Sequence, residues 1–460
     1  MKNANLIYGV KDKPGIWKTL VFALQQVLAI LAATIVVPVI ISTNTDLNAV
    51  GIYPGMSQSA ALFGAGAGTI VYLLFTKFKS PVFLGSSFAF IGSMLVAFAS
   101  AAANVMLGYV GLIIGAVFAG LVYVVIAIVI KFVGTKWIDK IMPAAVIGPT
   151  VAVIGLSLSG NAVGDLTKGA VASTNPYIAL LCGLVTLAVV IVCSVYGKKM
   201  MKMIPFIIGI GAGYAVASIF TVIGIATGNA ALQVIDFSKF TQMAWLPEFS
   251  FVNAFDGVKA INGTYIAGIA VAYIPVAFVV FAEHLADHKN ISSIIGTDLT
   301  KDPGLHRTLL GDGIGSMVGA FFGGCPNTTY GESVGCVAIS KNASVVTILT
   351  AAIICIASAF VAPFVTLLAT IPACVMGGVC FTLYGFIAVS GLKMIQKVDL
   401  NENNNLFTVS VILIAGVGGM VLNIGGVTLT AVACALILGI LVNLLGNIKS
   451  KKDKKEDKAE

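Results

Sequence analysis

Pro81-Val82-Phe83-Leu84-Gly85-Ser86-Ser87-Phe88-Ala89-Phe90 and Pro326-Asn327-Thr328-Thr329-Tyr330-Gly331-Glu332-Ser333-Val334-Gly335 each open an apolar stretch, yet neither starts like a helix. Each begins with proline, runs through β-prone or polar residues and a glycine, and takes on helical character only afterwards. The pattern predicts a short extended segment feeding a half-helix in both places. Extended backbone at membrane depth survives only where it lines a cavity or pairs within protein. Two such segments can pair with each other and leave the unpaired N–H groups of both half-helices aimed at one point. The competing reading is a pair of amphipathic loops at the membrane surface.

That the setting is a membrane follows from composition. The 460 residues are 58% hydrophobic and only 10% charged, with a mean hydropathy of +1.02. A soluble chain carries about a quarter charged residues. Disorder and a soluble enzyme are therefore excluded. The 50 glycines have no collagen period and suit closely packed membrane helices. Formal charge is +8, but the basic residues are scattered between apolar runs. Only Lys449-Ser450-Lys451-Lys452-Asp453-Lys454-Lys455 forms a cluster, which fits a tail at a lipid surface better than a nucleic-acid site. All eight cysteines lie in apolar stretches without CxxC spacing and read as packing residues.

A spanning helix needs about 20 apolar residues. Spans are expected near 17–41, 57–76, 81–103, 106–131, 140–159, 177–196, 204–228, 262–286, 307–324, 325–340, 343–366, 371–393, 405–423 and 427–446, fourteen in all. No signal peptide is expected before the first. With both termini cytoplasmic, only Lys168, Lys239 and Lys259 of the 27 Lys and Arg fall outside, a strong positive-inside bias. The chain reads as an all-α polytopic protein of the cytoplasmic membrane, with short β segments in spans 3 and 10.

Pro143-Ala144-Ala145-Val146-Ile147-Gly148 opens span 5 and recurs as Pro372-Ala373-Cys374-Val375-Met376-Gly377 opening span 12. The copies are seven spans apart. Seven is odd, so the second half should be inverted relative to the first, the 7+7 architecture of secondary transporters. Spans 3 and 10 are also seven apart, and discontinuous helices in matching places mark the substrate site.

Nearly all 19 acidic residues fall in loops or tails. The exceptions are Glu283 and Asp287 at the end of span 8, Glu332 in span 10 and, less clearly, Asp312 near the start of span 9. An ionisable group inside a span is costly and marks a functional site by default. Glu283 and Asp287, four apart, share a helix face. Carboxyls clustered at low dielectric are the usual equipment for carrying a proton. The plain alternative for Asp287 is a wet position at the cytoplasmic exit. His284 and His288 beside them show no HExxH order, and no metal or cofactor is expected. Gly209–Gly213, Gly64-x-x-x-Gly68 and Gly111-x-x-x-Gly115 read as helix packing.

At these residues the chain resembles the nucleobase/ascorbate transporter family, and within it the bacterial uracil permeases. The specific pieces are Leu24-Gln25-Gln26-Val27-Leu28-Ala29, Leu84-Gly85-Ser86-Ser87-Phe88-Ala89-Phe90, Ala282-Glu283-His284, Asp302-Pro303-Gly304-Leu305-His306-Arg307 and Pro326-Asn327-Thr328-Thr329-Tyr330-Gly331-Glu332. The likeness covers essentially the whole membrane domain. It implies a core domain (17–135 and 262–370, spans 1–4 and 8–11) and a gate domain (136–230 and 371–446, spans 5–7 and 12–14). Residues 1–16 would be a cytoplasmic N-terminus, 231–261 an extracytoplasmic loop and 447–460 a basic cytoplasmic tail. It also implies proton-coupled uptake of uracil, often by a homodimer.

By the resemblance, Glu283 and Glu332 hold the pyrimidine, the backbone of Phe88 and Gly331 donates to its carbonyls, and Ala33, Tyr330 and Tyr384 form the walls. Glu283, Asp287 and Glu332 are the groups for proton coupling. Three departures stand out. Asp287, with His288 beside it, occupies the place of a histidine; Gln26 replaces a histidine in span 1; and Ser333 and Ser340 replace asparagine and threonine. Glu332 itself favours uracil, since purine-selective relatives tend to carry glutamine there. A xanthine or urate symporter is the alternative, and an anion transporter a more distant one. A membrane enzyme is disfavoured, because no nucleophile–base pair or metal motif is present.

Overall fold

The computed structural model describes residues 6–134, 137, 141–198, 200–424 and 427–456. Lys2, Lys136, Lys140, Lys199 and Lys458, counted above among the inner lysines, lie outside these residues. Helices α1 (Ile16–Ser42), α2 (Thr45–Ala49) and α3 (Gln58–Phe75) precede strand β1 (Leu84–Ser86), a single 3-10 turn (Phe88–Phe90) and α4 (Ile91–Ala99). Next come α5 (Val105–Val133), α6 (Ala144–Ser157), α7 (Ser159–Asp165), α8 (Pro176–Tyr196), α9 (Met200–Met203), α10 (Pro205–Thr227) and α11 (Ser250–Gly257). The remainder comprises α12 (Gly263–Ile295), α13 (Leu305–Gly323), β2 (Asn327–Thr329), α14 (Gly331–Ser340), α15 (Val345–Ser358) and α16 (Ala362–Ala369). It ends with α17 (Ala373–Ile395), α18 (Asn403–Val417), β3 (Leu422–Ile424), β4 (Val427–Leu429) and α19 (Ala431–Glu456).

Among the described residues eight helices are long and apolar enough to cross a membrane, or nine if α15 and α16, bent by 83° at a break, make one span. Large side chains such as Val125 (59% exposed), Phe407 (62%) and Ile414 (76%) face outward, as lipid contact requires. The fold is that of a helical polytopic membrane protein. The difference from fourteen lies mainly in expected spans 3, 10 and 13, whose helices are too short, and in 14, whose apolar stretch is only Ala431–Asn447. Expected span 9 is α13, glycine-rich and carrying His306, Arg307 and Asp312. Span 11 breaks where Pro363 begins α16, since proline suits a helix start and not an interior.

Three stretches depart from the sequence expectation. Expected span 14 opens as strand β4, paired antiparallel with β3, because Val427 and Thr428 are β-branched and prefer extended backbone. Expected span 8 continues nine residues past 286 to Ile295. Its polar residues from Asp287 to Lys289 end the hydropathy signal, but Ile291, Ser292 and Ile295 keep one face buried. The loop 231–261 contains α11, and Phe249 and Phe251 dock on Phe63, Phe321 and Phe322 with ring centroids 4.8–6.0 Å apart.

Glycines let the helices approach. A Cβ on Gly64 would lie 2.6 Å from the carbonyl oxygen of Gly319, and one on Gly68 would lie 2.7 Å from that of Gly315. Helices α3 and α13 therefore pack antiparallel, backbone on backbone. Asn327 keys into the seam, its Nδ2 donating to the carbonyl of Gly64 at 2.9 Å. Gly111 and Gly115 admit Tyr265 and Tyr273, and Gly209 and Gly213 admit Val190 and Thr186. Gly64→Val should destabilise the fold by about 1–3 kcal/mol, the usual range for overpacking. A lower thermal midpoint of the detergent-purified protein checks this.

The two PAxxxG-like motifs also meet. Pro143 and Pro372 are the N-caps of α6 and α17. Gly148 faces Gly391 and Ile395, while Gly155 faces Tyr384 and Ala388. The helices opened by the two motifs thus lie antiparallel against each other.

Candidate functional site

The two non-helical segments pair. Leu84 lies opposite Thr329, Gly85 opposite Thr328, and Ser86 opposite Asn327, in antiparallel register. So short a ribbon leaves donors at its margins, and side-chain oxygens meet them. Thr69 Oγ1 accepts from the N–H of Leu84 at 2.9 Å and Ser333 Oγ from that of Phe83 at 3.0 Å. The Tyr330 hydroxyl donates to the carbonyl of Ser86 at 2.8 Å, its ring covering Gly85 where no side chain would fit. Both segments are buried, which excludes surface loops. The 3-10 turn and α4 leave one end of the ribbon and α14 leaves the other, each presenting the unpaired N–H groups of a helix start.

A cavity of 520 Å³ adjoins the ribbon. One wall is formed by Phe88, Ala89 and the stretch Thr328–Glu332, continued along α14 to Ile339. Helix α12 adds Glu283, Ala286 and Asp287, and the facing wall comes from α6, α8, α10 and α17. Phe88, Tyr330, Gly331, Glu283, Asp287 and Glu332, far apart in sequence, thus surround one space. Ala33 and Tyr384 are buried (1% and 2% exposed) and are not among the lining residues. Tyr384 reaches the site through Phe88, ring edge to ring at 6.1 Å.

Asp287 lies within α12 and not at its exit. It is half-buried, two turns inside α12, and its Oδ2 accepts from the Thr329 hydroxyl at 2.8 Å. A Cβ on Gly331 would lie 3.9 Å from its Oδ1, so a third carboxylate stands beside the start of α14. Gln26 and Ser333, two of the departures, are partners: the Gln26 amide donates to the Ser333 hydroxyl.

The adjacent face of α12 carries polar groups that sequence reasoning left without a role. His284 Nδ1 and Asp312 Oδ2 are 2.7 Å apart, both side chains fully buried. His284 Nε2 lies 3.0 Å from the Thr308 hydroxyl. The His284 and His288 rings stack at 3.9 Å. His288 donates from Nδ1 to the His284 carbonyl at 2.8 Å, and its Nε2 is 2.6 Å from the Tyr72 hydroxyl, itself 2.6 Å from Ser80 Oγ. Both rings are engaged by protein and fasten α12 to α3 and α13. The i, i+4 spacing of His284 and His288, one residue out of step with Glu283 and Asp287, was the available signal: two polar stripes on one helix.

Discontinuous helices crossing beside a carboxylate-lined cavity, within a helical membrane fold, define a membrane transporter. The chain belongs to the Permease family, which it matches over residues 17–425. It is 37% identical over 442 residues to the uracil permease of Bacillus caldolyticus, covering 95% of this chain and 94% of that one. It is 36% identical to the uracil permease of Bacillus subtilis (strain 168), covering 100% and 98%, and 34% identical to that of Escherichia coli (strain K12), covering 95% and 93%. The fold is also similar to the transmembrane domain of the cyanobacterial bicarbonate transporter BicA. The TM-score there is 0.59 at 16% identity, covering 94% of this chain and 96% of that one. The murine anion transporter Slc26a9 aligns with a TM-score of 0.61 at 12% identity, covering 96% and 69%.

Proposed function

We propose that this protein carries uracil into the cell by proton symport. The observation that carries the reading is the convergence of Glu283, Glu332 and the helix starts at Phe88 and Gly331 on one cavity. Uracil offers two ring N–H donors and two carbonyl acceptors, which two carboxylates and two backbone N–H groups complement. A base lacking one of these groups leaves a buried polar atom unpaired and is rejected. The relatives that carry the name uracil permease support the same choice. Anions fit poorly, because three carboxylates repel them where an anion site would offer backbone N–H and Lys or Arg. Titrating purified protein with uracil, xanthine, hypoxanthine and sulfate tests the substrate; binding of xanthine without uracil would move it to the purines.

In this reading the chain has fourteen spans in a 7+7 inverted repeat and works as a dimer. The gate domain, spans 5–7 and 12–14, moves against the core. The antiparallel α6 and α17 support the inversion. The cavity reaches Lys202 and Met394, at the face the lysine distribution assigns to the cytoplasm, which supports an inward-open conformation with both termini inside. Glu283, Asp287 and Glu332 are the coupling groups: a carboxyl loaded with a proton from outside releases it once the cavity opens inward. Uptake should rise as external pH falls and collapse with a protonophore. Asp287→Asn removes an exchangeable proton but keeps an acceptor for Thr329. It should shift the pH profile or slow accumulation several-fold, with equilibrium uracil binding largely retained. Uptake that follows sodium and ignores the protonophore would overturn the proton assignment.

A further inference from the structure

Residues 6–15, ahead of α1, have a defined place. The N–H groups of Ile7 and Tyr8 both donate to the carbonyl of Lys341, at 2.8 and 3.3 Å. The N–H of Ala343 donates to the carbonyl of Tyr8 at 2.9 Å, and that of Val345 to the carbonyl of Val10 at 3.1 Å. Tyr8 and Asn342 form a parallel bridge. The strap is itself folded: Asp12 Oδ2 accepts from the Gly9 N–H at 2.7 Å, and the Thr19 hydroxyl donates to the Pro14 carbonyl at 2.9 Å.

What the strap grips is the joint between α14 and α15. Lys341 is the C-cap of α14, in left-handed conformation at φ 55, and helix ends leave carbonyls without partners. Ser344 is the N-cap of α15, where a serine hydroxyl ordinarily accepts from the first turn. Here it makes no cap bond; it donates instead to the Asp12 carbonyl at 2.6 Å. Ser344 is fully buried. The strap therefore holds the end of one helix and the start of the next through backbone groups the helices leave without partners and through the Ser344 hydroxyl. Helix α14 is a half-helix of 10 residues, with Glu332 at its first turn and Gly335, Cys336 and Ile339 along the cavity. At its ribbon end it is held by Ser333 and Gln26. Its far end has the strap.

We propose that residues 7–12 are a positioning element of the substrate site, bracing the far end of α14 so that Glu332 and the Gly331 N–H hold their geometry. The strap touches no substrate and acts through α14. A displacement of about 1 Å in such groups is enough to cost orders of magnitude in a well-oriented site, so modest loosening should be measurable. The inference rests on the reading of Glu332 as a uracil ligand.

The test compares the full chain, a variant beginning at Lys13 behind an initiator methionine, Ser344→Ala and Ser344→Thr. Each is titrated with uracil, and amide hydrogen exchange is followed over 331–345. The truncated chain should bind uracil about tenfold more weakly, with faster exchange at α14. Ser344→Ala should show a smaller loss in the same direction, and Ser344→Thr, which keeps the hydroxyl, should bind like the full chain. That rescue separates positioning from general destabilisation and remains readable if the truncated chain does not fold. Affinity and exchange unchanged in Ser344→Ala, or in a folded truncated chain, would overturn the brace while leaving the uracil site intact. A full-length chain that binds no uracil would sink the site reading and the brace together.

Discussion

Glu332→Gln is expected to weaken uracil binding roughly tenfold to a hundredfold while leaving the thermal midpoint of the unliganded protein nearly unchanged. The substitution preserves size but replaces an acceptor-only carboxylate with an amide that brings its own donor to face a ring N–H. A hydrogen bond to a charged group is worth about 1.5–3 kcal/mol, which sets the range. The apo fold should tolerate it, because Glu332 lines the cavity at the first turn of α14 and closes no helix seam. Isothermal titration of wild type and variant decides the matter. Equal affinities would remove Glu332 from the site.

A loss of stability of the folded protein is the expected result for Asp312→Leu. Asp312 Oδ2 lies 2.7 Å from His284 Nδ1, with both side chains at 0% exposure. Removing one partner of a buried hydrogen bond typically costs about 1–3 kcal/mol, since the remaining polar group stays buried without compensation. Asp312→Asn keeps an oxygen for the His284 ring and should cost less. Thermal unfolding in detergent, with yield of monodisperse protein as a second measure, ranks the three chains. An Asp312→Leu midpoint equal to wild type would show that His284 finds its stability elsewhere. His284 follows Glu283 on α12 and ties that helix to Asp312 of α13, so weakened uracil binding is a secondary expectation.

How much was legible beforehand depended on whether the signal was local. The ribbon was readable because proline, β-prone residues and glycine at 81–90 and 326–335 are backbone instructions: they favour extended backbone ahead of the helix wherever the chain goes. The opposite orientation of α6 and α17 was suggested by a motif that recurs seven spans along, an odd offset, which is counting. Glu283 and Glu332 stood out because a charge inside an apolar run is costly in any fold. The true length of α12 was hidden because its last turns are polar on one face and buried on the other, and hydropathy averages the two. Strands β3 and β4 were hidden for a similar reason: an apolar, β-branched run at 427–429 reads equally as the start of a spanning helix.

By itself the amino-acid sequence determined the membrane setting, the helical class, the two breaks and the acidic residues that belong to no loop. Only the tertiary structure decided their company. It turned Asp287 into the cavity through Thr329, set Ala33 and Tyr384 off the lining, and paired Gln26 with Ser333 across 307 residues of chain. It gave His284 and Asp312 to each other and laid the polar leader against the end of α14. The physical reason is range. Propensity, charge cost and turn chemistry act within a few residues and can be read along the chain. Hydrogen-bond partners at low dielectric are chosen from whatever the packed helices bring within about 3 Å, and that choice exists only once the fold is formed.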